Sequence, residues 1–356
     1  MVDIVSQNGS EWIKVSSITE KRILMDLAKA GWVGDSSSDE GEYGSPEDDE
    51  GDDPEGLLKQ VEAIVRASRA TRVRYRHPSV RLILPRINAM PASDEVARIL
   101  QKIRDLGVIV QTSEDLPPEI PLTDQVLSCL TGDRFESFSD VLNIDCTILL
   151  AFASDLSHGR VDPADWHSKA ISRQMEVESE DQLLPSSLWP ACGARKLVCT
   201  REAAVRMQEI IEIIGTDTER RRASLMLNLD GDTNLTGEER LREFQKLSDK
   251  AIPLNWSLPI EIVDVDIPAI LRGLPSIAEK VSGKLTDINQ SVFLYGWATS
   301  RTTISSNRAV ARDIESTIEG SRQDEETRGP DIWVCATARS LVGKEKQRRG
   351  YNDSAS

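Results

Sequence analysis

Short apolar runs alternate with longer segments of helical periodicity along most of this 356-residue chain, and that alternation limits the fold more than any other feature. VRLILPRI (80–87) and VIVQT (108–112) flank EVARILQKIRDLG (95–107), which ends at Gly107. Apolar runs bounded by turn residues predict strands, and apolar spacing of three or four predicts helices. Strand, helix, strand in that order predicts a βαβ unit. Leu58, Val61, Ile64 and Val65 place an amphipathic helix over 57–68. Further on, VLNID (141–145) precedes TILLAFASDLSH (147–158), and KLVCT (196–200) precedes REAAVRMQEIIEIIG (201–215). ERRRASLMLNL (219–229) is expected to start helical and finish as a strand. Thr236, with Glu239 three residues on, opens a helix through a capping box. SVFLYGW (291–297), TTISSN (302–307), a helix from 308 to 319 and DIWVCA (331–336) complete the series, with 291–297 expected as a strand. The polar stretch 160–187 predicts a loop or partial helix, and 251–275 an insertion. The class is therefore α/β, with a mostly parallel sheet covered on both faces.

Composition agrees with a globular chain: 39% of residues are hydrophobic and 29% charged. No run approaches the roughly 18 apolar residues of a membrane span. The opening MVDIVSQNGSEWIK has no basic n-region before an apolar stretch, so a secretory leader is not expected. Cys129, Cys146, Cys192, Cys199 and Cys335 are odd in number and nowhere form CxxC. Reduced thiols in cytoplasm or nucleus are expected, rather than a disulfide framework or a zinc site. His77, His158 and His167 have no ligand spacing either, and DGDTNLTGEERL (230–241) has Leu235 and Leu241 where a calcium loop needs Gly and Glu. No glycine-rich phosphate loop occurs.

The charge of −16 is unevenly spread. Residues 35–56 hold eleven acids and no base, so removing them takes the net charge from −16 to −5. Such a segment repels itself and buries little, which predicts a disordered acidic insert. The sign then reverses. From Ala63 to Ser93 there is no acid, while Arg66, Arg69, Arg72, Arg74, Arg76, Arg81 and Arg86 fall there with His77. One reading is a solvated helix face and strand edge; the other is a phosphate-binding strip. Tyr75 alone interleaves with these arginines, so no base-stacking platform is expected. The organisation expected is an N-terminal segment (1–34), the insert (35–56), an α/β domain (57–114), a linker (115–135), a second domain (136–345) and a disordered tail (346–356).

MVDIVSQNGSEWIKV, NIDCTILLAFASDLSHG, the Cys199 helix ending in EIIG, TTISSN and ATARSLV together resemble an uncharacterised eukaryotic family, domain of unknown function 1308. The resemblance runs through these anchors from residue 1 to about 345. It implies that the second domain is PIN-like, and that a helical piece usual before the first anchor is missing here. PIN domains with activity are Mg²⁺- or Mn²⁺-dependent ribonucleases whose acids gather at the carboxyl ends of parallel strands. By that resemblance the first acid is Asp145. The second position falls on Arg206, with Glu202 and Glu209 on nearby turns. Thr299, in YGWAT, stands at the third position and Asn307, in TTISSN, at the fourth. An inward Arg206 would pair with Asp145 in place of a metal.

The expected function is therefore a PIN-like protein with a degenerate nuclease site, acting by binding RNA or a protein partner. Alternatives are an active ribonuclease using Asp145 with Glu202 or Glu209 and Asp313, or a non-enzymatic interaction scaffold. No confident metal or cofactor is expected, and no membrane partner. The insert's position gives a first prediction. Tethered beside the arginines, it competes with RNA at an effective concentration of about millimolar. Deleting residues 36–54 should tighten RNA binding at low salt, and the gain should shrink as salt rises; binding titrations at several ionic strengths check this.

Overall fold

A computed structural model describes residues 1–29, 56–117, 135–228, 235–322, 324 and 327–343. Most of the acidic insert, most of the linker and the tail lie outside these residues. The chain divides into two units, Met1–Gly132 and Asp133–Ser356. Among the described residues no helix is long and apolar enough to cross a membrane.

The first unit holds a four-stranded sheet in the order β1 (Ile4–Ser6), β2 (Glu11–Val15), β3 (Ser79–Ile83), β4 (Ile109–Gln111). β1 runs antiparallel to β2; β2, β3 and β4 are parallel. The expected βαβ unit is present as β3, the helix Asp94–Asp105 and β4. Ser93 starts that helix by accepting the Glu95 N–H at 3.2 Å, and Gly107 ends it at φ +86°. β1 and β2 were not expected. Both are short, and the edge strand β1 has only three residues. Val80 and Leu82 point to one face of β3, where they meet Leu57, Val61, Ile64 and Val65 of the helix Gly56–Arg69 and Val96, Leu100 and Ile103 of the next helix.

The second unit is built on five strands, all parallel, in the order β7 (Glu261–Val263), β6 (Lys196–Thr200), β5 (Val141–Ile144), β8 (Thr303–Ser305), β9 (Ile332–Val334). The chain starts in the middle at β5, builds outward to β7, then returns to β5's other side for β8 and β9. Right-handed crossovers put the helices of those two excursions on opposite faces, a three-layer α/β arrangement.

Three expectations are corrected. SVFLYGW is not a strand but the core of the helix Asp287–Ala298, and Ser291 through Trp297 are all buried. A continuous apolar run reads the same for a buried helix as for a buried strand. Gly296 lets this helix lie against β8, since a Cβ there would collide with Thr303 Oγ1. Second, ERRRASLMLNL stays helical from Asp217 to Leu227 and stops at Asn228 with φ 55°. Third, 251–275 is no insertion: it supplies edge strand β7 and the helix Ile267–Gly273. The polar stretch contains a full helix, Lys169–Glu180.

Between the helix Gly56–Arg69 and β3 the chain makes a tight turn. Val73 and Arg76 exchange both backbone hydrogen bonds, at 2.8 and 3.1 Å, and the two central residues have φ 49° (Arg74) and 65° (Tyr75). Two positive φ values define a turn that normally takes Asn and Gly. Each L-residue held there costs about 1–2 kcal/mol. Arg74→Gly should therefore stabilise the first unit by about 1 kcal/mol in urea unfolding. A loss of stability would mean the turn is not strained.

Candidate functional site

The strand order reverses at β5, and in an open parallel sheet a crevice forms outside the carboxyl ends at that point. Asp145 follows β5 directly, and Ser305, Ser306 and Asn307 close and follow β8. Asp145 is 3% exposed. Its backbone N–H continues the sheet by donating to Ile304 O at 3.0 Å. Its carbonyl accepts from Ile148 and Leu149, which makes it the first residue outside the helix Cys146–Ala153.

The side chain does not cap that helix. Instead Oδ2 accepts two hydroxyl bonds, from Ser305 Oγ at 2.6 Å and Thr147 Oγ1 at 2.7 Å. Each hydroxyl oxygen in turn accepts an amide: Asn307 N–H donates to Ser305 Oγ at 2.9 Å, and Ser306 N–H to Thr147 Oγ1 at 3.1 Å. A hydroxyl has one proton to give. With both amides donating inward, both hydroxyl protons must go to Oδ2. The loop after β8 is thereby stitched to the start of the helix after β5.

Burial pushes the Asp145 carboxyl above its usual range; the Ser305 and Thr147 hydroxyls, and the N–H groups at the helix start, counter this only in part. Burial likewise pushes the thiols of Cys146 and Cys199 up to about 12, so neither is a nucleophile near neutral pH.

The other candidate residues do not assemble around Asp145. Arg206 forms no ion pair with it; its guanidinium binds Glu209 Oε2 at 3.1 Å, one turn along the same helix, with both side chains about half exposed. Glu209 is thereby occupied. Thr299 ends the helix Asp287–Ala298, its hydroxyl bonded to Tyr295 O at 2.7 Å. Because 291–297 is helical, Thr299 precedes β8 and lies toward the sheet's amino edge, where Thr302 bonds Ser139 and Asp331. Asn307 does follow β8, but its Oδ1 caps the helix Arg308–Ser321 by accepting from Val310 N at 3.3 Å. Asp313 is exposed on the second turn of that helix. Glu202 sits at the start of the helix after β6, and its Oε2 is buried without a hydrogen-bond partner. Among the described residues no three His, Cys, Asp or Glu side chains are grouped to hold a metal ion.

A second polar network explains the rest of the DLSHG motif, and sequence reasoning missed it. Arg222, 4% exposed, donates to Asp155 Oδ1 at 2.7 Å, Ala153 O at 2.8 Å and Leu247 O at 2.6 and 2.9 Å. Burial raises the Asp155 carboxyl, but Thr216, Thr218 and Arg222 outweigh it and hold the group below its usual value. Glu219 accepts the N–H groups of Asp155, Thr216 and Val342. His158 is pushed down to about 3 by burial and then by the Arg222 charge. It is therefore neutral, and its Nε2 donates to Phe152 O at 2.7 Å. Arg339, 1% exposed, reaches Glu178 at 2.7 Å and so fixes ATARSLV to the helix Lys169–Glu180. A single arginine inside an otherwise small and apolar segment was the available signal.

The arginine strip separates into parts. Arg81 lies on the sheet and pairs with Glu11 at 2.8 Å. Arg86 follows β3, at the sheet's carboxyl edge. Arg66, Arg69, Arg72, Arg74 and Arg76 precede β3. Among the described residues no carboxylate forms an ion pair with Arg66, Arg69, Arg74 or Arg76.

Residues 142–251 match the sequence model of a family described as a protein of unknown function (DUF1308). The match takes in Asp145 and the Arg222 network; β8 lies beyond it. No solved structure matches the chain.

The Asp145 geometry predicts two different mutants. Asp145→Ala leaves the buried Ser305 hydroxyl and the half-buried Thr147 hydroxyl without an acceptor and should cost about 2–4 kcal/mol. Asp145→Asn keeps an acceptor oxygen and removes a buried charge. A carboxyl raised on folding stabilises most below its unfolded pKa, and that contribution is lost as pH rises through the folded value. Urea unfolding from pH 4 to pH 8 should thus show wild type losing ground to Asp145→Asn as pH rises. The opposite slope would mean that the charged carboxylate is the favoured form.

Proposed function

We propose, for a chain that belongs to the DUF1308 family through residues 142–251, that the second unit is PIN-like, that its nuclease centre is lost, and that the protein works by binding RNA. The observation carrying this reading is the fate of Asp145. A carboxylate that serves a metal must offer its oxygens to the ion, and Mg²⁺ or Mn²⁺ requires several such ligands at one place. Here Oδ2 is taken up by two hydroxyls whose other bonds hold them in place, which leaves Asp145 only Oδ1 to offer. Among the described residues no group of three His, Cys, Asp or Glu side chains completes a metal site.

The donor set does not fit the metal that the PIN resemblance implies. Asp145 and Glu202 flank the crevice on adjacent strand ends, but Glu209 is paired with Arg206 and Asp313 is exposed one turn into its helix. Thr299 is at the wrong edge of the sheet. No hydrolytic step is therefore assigned to these residues. Binding needs no such set; it needs cationic surface, and the first unit supplies it in Arg66, Arg69, Arg74 and Arg76, with which no carboxylate among the described residues forms an ion pair.

The test combines cleavage and retention. Labelled RNA incubated with the full chain and Mn²⁺ or Mg²⁺ should remain intact, and wild type should behave as Asp145→Asn does. RNA should nevertheless be bound at about 50 mM salt and released as salt rises. Cleavage abolished by Asp145→Asn restores the ribonuclease. Failure to bind RNA at low salt leaves a protein-binding scaffold instead.

A further inference from the structure

We infer that Arg66, Arg69, Arg74 and Arg76 form one docking surface for the phosphate backbone of double-stranded RNA, at the amino edge of the first unit's sheet. The choice of RNA rests on the function proposed above; the surface itself rests on geometry.

All four precede β3, and the chain brings them to one end of the sheet from two directions. Arg66 and Arg69 are exposed on the last turn of the helix Gly56–Arg69, which leads to the start of β3. They line a hollow of about 260 Å³ with Glu62, Val65 and Leu106. Arg69 is fixed there by donating to Leu106 O at 3.3 Å, and Leu106 ends the helix that leads to the start of β4. Arg74 and Arg76 are exposed on the tight turn just before β3. Tyr75 between them is turned inward, at 9% exposure, and His77 Nδ1 donates to Thr71 O at 2.8 Å at the base of the turn.

The strain of this turn is the informative part. Asn and Gly would adopt its two positive φ values without cost, yet Arg and Tyr hold them. Strained backbone that the surroundings over-determine tends to sit where a ligand is clamped. Here the strain sets one arginine at the tip and another beside it, with an aromatic plug beneath. Among the described residues Glu62 is the one acid lining the hollow, and it makes no ion pair with either arginine.

The same features choose the ligand. Single strands are held through bases stacked on exposed aromatic rings, and Tyr75 is buried. Among the described residues neither a free helix nor a long ribbon stands at this edge to enter the major groove of DNA. Backbone phosphates beside the wide, shallow minor groove of an A-form duplex are what a rigid cationic edge can reach. Arg81, paired with Glu11, and Arg86, at the opposite edge, are outside the surface.

Fluorescence anisotropy on the full chain tests this with a 20-base-pair RNA duplex, a DNA duplex of the same sequence and a single strand of equal length. Four phosphate contacts predict a salt slope of about −3.6, a fall in affinity of about 100-fold between 50 and 200 mM salt. Arg74→Glu with Arg76→Glu should bind at least about tenfold more weakly and show about half that slope. Arg86→Glu, which changes charge at the other edge, should stay within about twofold of wild type. If the first double variant unfolds, Arg66→Gln with Arg69→Gln on the exposed helix face gives the same test. RNA bound equally well by wild type and either double variant overturns this surface while leaving RNA binding intact. Tighter binding of the single strand or of DNA overturns the duplex assignment, and absence of any RNA binding removes both.

Discussion

Two hydroxyl bonds onto one oxygen of Asp145 join the halves of the second unit at the point where its sheet changes direction. β5 belongs to the excursion toward β7, and β8 starts the excursion toward β9. Main-chain pairing joins the strands, but the loops beyond their ends have only side chains and amides to connect them. Ser305 and Thr147 make that connection: Ser305, from the β8 side, donates to the carboxylate after β5, and Thr147, from the helix after β5, accepts the Ser306 amide of the loop after β8. The buried carboxyl is costly without these donors, and they offset part of that cost.

The second network fixes what lies around that crevice. Arg222 and Asp155 anchor the break after the helix Cys146–Ala153, Glu219 gathers three backbone N–H groups from separate segments, and Arg339 with Glu178 draws ATARSLV into the unit. Removing one partner of such a buried pair costs about 3–5 kcal/mol, since the other charge is left unpaired. The anchors NIDCTILLAFASDLSHG, TTISSN and ATARSLV thus meet through polar side chains. Each of these anchors therefore has a part in holding the second unit together. The neutral His158, bonded to Phe152 O and Ser248, belongs to the same structural set.

Much of the architecture was legible in the chain. Apolar periodicity located β3 to β6, β8, β9 and most helices, and the alternation of the two periods gave the α/β class. It failed at SVFLYGW because a helix covered on all sides loses its polar face, and with it the period that distinguishes helix from strand. It failed at 251–275 because a three-residue edge strand, Glu261–Val263, carries too few residues for any pattern. That first error moved Thr299 from a strand's carboxyl end to the sheet's amino edge. The site reading was half right for a related reason. Asp145 was visible as an acid ending an apolar run. Ser305 and Thr147 were not, since a serine or threonine becomes a partner only when the fold brings it within hydrogen-bond distance.

By itself the sequence determined the periodicities, the α/β class, the acidic and basic blocks and the placement of Asp145 at a strand end. These depend on neighbours a few residues apart, and local spacing encodes them directly. The tertiary structure alone decided which groups share a place: that Asp145 meets two hydroxyls rather than other carboxylates, that Arg206 turns to Glu209, and that seven consecutive arginines in sequence divide among a sheet face and two opposite edges. Those outcomes depend on contacts across 160 residues at Asp145 and 70 at Arg81. Hydrogen bonds and charges act only over a few ångströms, so chain distance carries no information about them until the strands are paired.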